Sequence, residues 1–313
     1  MKFLPILCPV VIILSACTNP ASSKKTSGLQ PIHLGAMSSM DYLPFVVAEK
    51  QGIYESLGLE VDIVKFFSAN DRDAAFQAGN VDGTVIDYTG AALQQAGGIG
   101  LGIVMKNDGY FCLIAGKESG IERIEQLKNK NIAVSRNTVI EYATDQILAE
   151  AGIALEEVNK PEINKIPIRL EMLQNGQIDA SVLPDPFASI AVNNGHILVV
   201  TTRELGISVT GTVFSTKALK EKNEEIKLLV KGYNQAVEYL YKHPRADWFR
   251  ILIEDAGVPE NLAEKITLPQ FTWAALPSSE DIKRTVDWLA AKKLVPGTYA
   301  GDTLVVAGYQ TPN

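Results

Sequence analysis

Four carboxylates, Asp41, Asp87, Glu141 and Asp185, are the groups best placed to do chemistry in this 313-residue chain. Each stands at or just past the end of a strand-like run, and three precede a tyrosine, as Asp41-Tyr42, Asp87-Tyr88 and Glu141-Tyr142. Brought to one cleft, four acids would suit an amine or a heterocycle that presents N–H donors. Beside them stand Ser38-Ser39, Asn70-Asp71 and the run Ser135-Arg136-Asn137-Thr138. A helix that starts at such residues offers unpaired N–H groups to an anion, and Ser135, Asn137 and Thr138 are the strongest candidates for that role. The same residue types also cap helices, so Ser68, Asn70, Asp71 and Asn137 have a purely structural use as well. An anion fits beside four acids only if some of them cap helices or pair with Arg136 or Arg169. Tyr42, Tyr88 and Tyr142 either cover a ligand or fill the core.

Other chemistries find little support. Three scattered histidines, His33, His196 and His243, and isolated cysteines do not make a metal site. No GxGxxG, GxxxxGK[ST] or GxSxG pattern occurs, and the glycines of GGIGLGIV read as a turn entering a strand. No cofactor is expected. Cys112, inside YFCLIAG, reads as a small core hydrophobe.

The elements that must position these groups alternate between strand and helix. Strands are expected at 32–36, 59–67, 84–86, 110–115, 131–134, 163–167, 180–183, 197–200 and 210–214. The helices between them end at Gly52, Gly79, Gly152 and Gly176, as helix stops do. Such alternation implies mostly parallel sheets covered by helices on both faces. In open sheets of this kind ligands bind beyond the carboxyl ends of the strands, which is why the acids and hydroxyls above are singled out.

The chain also repeats itself. FQAGNVDGTVID, at 76–87, matches LQNGQIDASVLPD, at 173–185, with Gly79 and Gly176 as corresponding glycines. MSSMDYLPFVVAEKQGI, at 37–53, matches NTVIEYATDQILAEAGI, at 137–153. Two ordered matches at nearly equal offset indicate two similarly built lobes. In each copy the glycine ends a helix, and Asp82 or Asp179 serves the turn.

The N-terminus adds an address. Lys2 precedes the apolar run Phe3–Leu14, too short to span a bilayer as a mature helix, and the run ends in Leu14-Ser15-Ala16-Cys17. That ending resembles a bacterial lipobox, which implies cleavage after residue 16 and lipid on Cys17. Residues 17–31, rich in Ser, Thr, Pro and Lys, read as a tether. A formal net charge of −7 argues against nucleic acid as a partner.

Taken together, LPFVVAEKQGIYESLGLEVDIV (43–64), AAFQAGNVDGTVID (74–87), IEQLKNKNIAVSRNT (124–138) and MLQNGQIDASVLPDPFASIA (172–191) resemble the substrate-binding lipoproteins of ABC importers. The nearest likeness is to the nitrate, sulfonate and taurine group, which includes binders of thiamine-pyrimidine precursors. The resemblance implies an α/β, two-lobed periplasmic-binding-protein fold of type II, with the ligand held between the lobes and passed to a permease and its ATPase. It implies a monomer on the outer face of the membrane, with residues 32–115 and 210–313 in the first lobe and 116–209 in the second. Crossings are expected near Ala115–Ser119 and Gly206–Thr210. The loop Ser38–Tyr42 matches no signature for nitrate, sulfonate or taurine. An enzyme of the same fold, as in menaquinone biosynthesis or the fungal pyrimidine synthases, would use Asp87 or Glu141 as general base. The export signal counts against it, as does the absence of the synthases' cysteine-rich motif. A surface adhesin, the third class, would lack the cleft.

Overall fold

The computed structural model describes residues 28–310. The expected export signal, Cys17 and most of the expected tether lie outside the described residues. Among the described residues no helix is long and apolar enough to cross a membrane.

The first half of the chain runs β1 (Ile32–Met37), α1 (Leu43–Lys50), α2 (Ile53–Ser56), β2 (Val61–Phe66), α3 (Ala69–Gln77), β3 (Gly83–Asp87), α4 (Tyr88–Ala96) and β4 (Leu101–Asn107). A second series follows: β5 (Phe111–Ala115), β6 (Ile132–Ala133), α5 (Val139–Glu150), α6 (Ile166–Gln174), β7 (Ala180–Pro184), α7 (Phe187–Asn193) and β8 (Ile197–Thr201). The chain then returns through β9 (Thr210–Ser215) to a helical tail: α8 (Thr216–Glu221), α9 (Asn223–Lys242), α10 (Phe249–Glu254), α11 (Glu260–Ala263) and α12 (Ser279–Ala291).

Two sheets result, ordered β2-β1-β3-β9-β4 and β6-β7-β5-β8. Each is mixed, where the sequence led us to expect mostly parallel pairing. β1 pairs in parallel with β2 and β3, but β9 is antiparallel to β3 and β4; β5 is likewise antiparallel to β7 and β8. The reason is connectivity. β5 and β9 are the strands that arrive from the opposite lobe, and each enters its new sheet from the far end. The first crossing therefore spans residues 108–110, between β4 and β5, and not Ala115–Ser119. An apolar run such as FCLIA fits the interior of either sheet, so periodicity could not assign it. The second crossing lies between Thr201 and Thr210. The expected strand at 163–167 does not form: residues 163–165 are irregular and α6 starts at Ile166, while Asn159 and Glu162 make isolated bridges beside β6.

The repeat is a structural equivalence. Gly79 and Gly176 have φ of 74° and 66°, the left-handed conformation that ends a helix without a Cβ penalty. The Asp82 carboxylate accepts from the His33 N–H at 2.8 Å, and the Asp179 carboxylate from the Asn131 N–H at 2.7 Å. Each acid thus ties its turn to the start of the neighbouring strand. One residue pair further, Thr84 Oγ1 donates to the Gly35 carbonyl and Ser181 Oγ to that of Ala133, both at 2.9 Å. The phrase specifies how a strand is seated between its neighbours.

The tail closes the first lobe. On α9 the buried Ile226, Leu229, Val230, Tyr233, Ala236 and Val237 recur at helical spacing and pack against α1 in one core. Gly232 lets α9 approach the Tyr54 ring, since a Cβ there would stand 2.4 Å from Cε1. α12 buries Ile282, Val286 and Leu289 against the first-lobe core beside α4, and its Trp288 reaches the core of the second lobe.

Candidate functional site

A cleft opens between the two sheets at the strand ends. Its walls come from β1, β3 and α3 on one lobe and from β5, β7, α5 and α6 on the other, and it encloses ≈ 490 Å³, part of it continuous with solvent. Met37, Val85, Ile86, Phe111, Val139, Ile140, Ile166 and Pro184 give it apolar walls; Ser39, Asp41, Arg72, Asp87, Ser135, Thr138, Asn164, Arg169 and Thr210 are its polar lining.

On the first lobe, Asp41 is buried and accepts from the Ser39 hydroxyl. Burial raises its carboxyl pKa, with the Ser39 bond and the nearby Arg72 charge opposing the rise. Asp87 has two uses. It caps α4 by accepting from the Gly90 N–H at 2.8 Å, and it faces the Arg72 guanidinium at 3.3 Å. Arg72, buried, also meets Asp73 at 2.8 Å. On the second lobe, Thr138 caps α5 and donates to the Ser135 carbonyl, while Ser135 donates to Asn164 Oδ1 at 3.0 Å. Arg169 is buried behind these groups; desolvation lowers its pKa to about 10, which leaves it charged at neutral pH.

Of the residues singled out from the sequence, Ser39, Asp41, Asp87, Ser135 and Thr138 line this cleft together. The others do not. Ser38 is buried in the first lobe, its N–H donating to the Phe66 carbonyl. Tyr42 belongs to the first-lobe core and donates to the Asp255 carbonyl at 2.9 Å. Tyr88 and Tyr142 are core residues of the first and second lobes. Asn70 and Asp71 are exposed in the first turn of α3, whose cap is Ser68. Asn137 is exposed with φ of 60°, and its N–H donates to Glu141. Arg136 is exposed and pairs with Glu162 at 3.1 Å, so it does not reinforce an anion site.

Glu141 and Asp185 leave the expected quartet of acids. Glu141 Oε1 is held by Lys292 at 2.6 Å and Lys160 at 3.3 Å, in a network with Asp145 and the Trp288 indole that joins the lobes. Asp185 accepts from the Ser189 N–H in the first turn of α7 at 2.9 Å and faces a separate groove with Tyr110 and Cys112. Burial raises its carboxyl pKa. The tension between four acids and an anion therefore dissolves, because only Asp41 and Asp87 reach the cleft and Asp87 already has a cation.

Arg72, Asn164 and Thr210 were not singled out as lining residues, and Arg169 was named only as a partner for the acids. Asn164 carries no pattern that would single it out. The arginines do, since each stands seven residues before the glycine that ends its helix, Gly79 or Gly176. Among the described residues no cluster of His, Cys, Asp and Glu could hold a metal ion.

A family model described as NMT1/THI5 like matches residues 39–247. No curated protein matches the chain by sequence. Among solved structures, the alkanesulfonate-binding protein of Xanthomonas axonopodis pv. citri, bound to MOPS, is 19% identical, with a TM-score of 0.74 over 89% of this chain and 98% of that one. The periplasmic nitrate-binding protein of Synechocystis is 12% identical, with a TM-score of 0.75 over 90% and 86%. A desulfurization enzyme is 14% identical, with a TM-score of 0.63 over 89% and 97%. At these identities the likeness is one of fold, and the fold hosts both binding and catalysis.

Proposed function

The chain belongs to the NMT1/THI5-like family, and from that premise we propose that it is the exported, lipid-anchored solute-binding protein of an ABC importer. Its two lobes close on a small organic ligand and present it to the permease. The observation that carries this reading is the cleft itself, lined by polar groups from both lobes. A ligand that touches both walls favours the closed arrangement by the contacts that the open one lacks. The two crossings, at residues 108–110 and between Thr201 and Thr210, form the hinge. In this reading cleavage after residue 16 leaves lipid on Cys17, and residues 17–31 tether a monomer to the outer face of the membrane.

The role is binding and not turnover. The buried Cys112 thiol is pushed up by desolvation and lines the other groove, so it does not serve as a nucleophile in the cleft. Of the two bases of the enzymatic alternative, Glu141 is engaged by two lysines away from the cleft, and Asp87 is occupied by the Arg72 guanidinium and the α4 cap. Ligand classes in keeping with the family are a sulfonate-, taurine- or nitrate-like anion and a pyrimidine-type heterocycle. Native mass spectrometry of protein purified without refolding tests the reading. We expect one small molecule per chain, released unchanged on denaturation; conversion of that molecule by the protein would overturn the assignment.

A further inference from the structure

The two copies of the repeat carry a buried arginine at the same place, and only one of the two has its charge answered. Arg72 and Arg169 are 2% and 1% exposed, and both line the cleft. Arg72 is held by Asp73 at 2.8 Å and Asp87 at 3.3 Å. Adding the offset of 97 between Gly79 and Gly176 to those acids gives Leu170 and Pro184, neither of which carries a charge, and the acid that ends the second phrase, Asp185, lies one residue further on and faces the other groove. Arg169 accordingly has no carboxylate within ion-pair distance among the described residues. Its Nη1 donates to the carbonyls of Ile163 at 2.8 Å and Asn164 at 3.3 Å, and its buried Nε has no partner.

A buried guanidinium without a counter-charge is strongly unfavourable. Around Arg169 the second-lobe wall adds nothing negative. Its polar groups are Ser135, Asn164 and the cap Thr138, beside Val139 and Ile140 at the N-terminus of α5, which carries partial positive charge; the acid of that turn, Glu141, is held by Lys160 and Lys292 away from the cleft. The first-lobe wall has its cation already matched. The remaining acid of the cleft, Asp41, belongs to the first-lobe wall and makes no ion pair with Arg169, so the missing negative charge is localised to the second-lobe wall.

We infer that Arg169 receives the anionic group of the ligand, a compact organic oxyanion such as a sulfonate, carboxylate or phosphonate, in the position that acids occupy beside Arg72. This rests on the reading of the cleft as the ligand site. Guanidinium and oxyanion geometries match for paired hydrogen bonds, and the exchange of a missing side-chain acid for a ligand acid makes closure depend on the ligand's charge. A neutral heterocycle would leave the guanidinium unanswered.

The test titrates the full chain, dialysed free of bound molecules, with ethanesulfonate, propionate, ethylphosphonate and the neutral ethanesulfonamide. Wild type is compared with Arg169→Met and Arg169→Lys, and circular dichroism verifies the fold. We expect at least one anion to bind and the sulfonamide to bind at least tenfold more weakly. Arg169→Met should lose that anion tenfold or more, and Arg169→Lys should lose less. If Arg169→Met does not fold, the anion-to-sulfonamide ratio in wild type decides. Equal binding of anion and sulfonamide, or undiminished anion binding by Arg169→Met, overturns the inference. A neutral co-purified molecule held equally by wild type and Arg169→Met overturns it while the solute-receptor reading stands. Absence of any co-purified molecule and of any binding across the panel overturns both.

Discussion

Replacing Lys292 by Met removes one of two cations that hold two buried acids where the lobes meet. Lys292 Nζ stands 2.6 Å from Glu141 and 3.9 Å from Asp145, while Lys160 reaches the same pair at 3.3 and 2.7 Å. The acids are 6% and 4% exposed at the side chain, and Lys292 is 24% exposed. A hydrogen bond to a charged group contributes about 1.5–3 kcal/mol. Partial exposure of Lys292 lowers that figure, and the remaining Lys160 keeps the loss below the roughly 3–5 kcal/mol of a fully broken buried pair. Met preserves the packing of the stem over the Trp288 ring, where Nζ now lies 4.6 Å from the centroid. The expected loss at pH 7 is therefore about 1.5–2 kcal/mol.

The loss should depend on pH. Burial by itself would raise the Glu141 pKa, but the Asn137 N–H, Lys292 and Lys160 together outweigh burial and hold it below its ordinary 4.5. A depressed acid contributes stability that is present above the unfolded value and is lost as pH falls through the folded one. The gap between wild type and Lys292→Met should thus be full at pH 7 and narrow as pH falls below 4.5. Urea, which adds no screening charge, is the suitable denaturant, with unfolding followed by circular dichroism and tryptophan fluorescence. A gap under about 0.5 kcal/mol at pH 7, the scatter of ordinary surface substitutions, would refute the reasoning. So would a gap that persists undiminished at low pH.

Two other outcomes follow from packing. Gly232→Ala on α9 would ordinarily gain about 1 kcal/mol of helix propensity, but its Cβ meets the Tyr54 ring at 2.4 Å. Because Tyr54 is itself buried, overpacking of about 1–3 kcal/mol should prevail, and thermal unfolding should show a lower Tm; an unchanged or higher Tm would refute this. Cys112 is 4% exposed and its thiol is pushed up by burial, so peptide mapping should find it unalkylated by iodoacetamide at pH 8 in native protein and alkylated in urea. Rapid native labelling would contradict that burial.

Local sequence carried the architecture further than it carried the site. The phrase shared by residues 76–87 and 173–185 announced two equivalent lobes because a helix stop, a turn acid and a strand hydroxyl use contacts that recur wherever that unit is built. The acid at Asp82 and the acid at Asp179 make the same backbone bond. Strand-end logic likewise brought Ser39, Asp41, Asp87, Ser135 and Thr138 to one cleft. It failed for Glu141 and Asp185, since being near a strand end does not say which way a side chain turns or which distant cation meets it. Lys292 lies over a hundred residues from Glu141, and only folding brings it there.

By itself, the sequence determined the repeating unit, the alternation of strands and helices and the need for two lobes, all of which depend on contacts close along the chain. Tertiary structure decided which sheet takes Phe111–Ala115, because an apolar strand is acceptable to both sheets and only connectivity chooses. It also decided which charges are answered. Arg72 and Arg169 look alike in sequence, and the identity of their buried neighbours, each within its own lobe, makes one a paired ion and leaves the other without a carboxylate beside it.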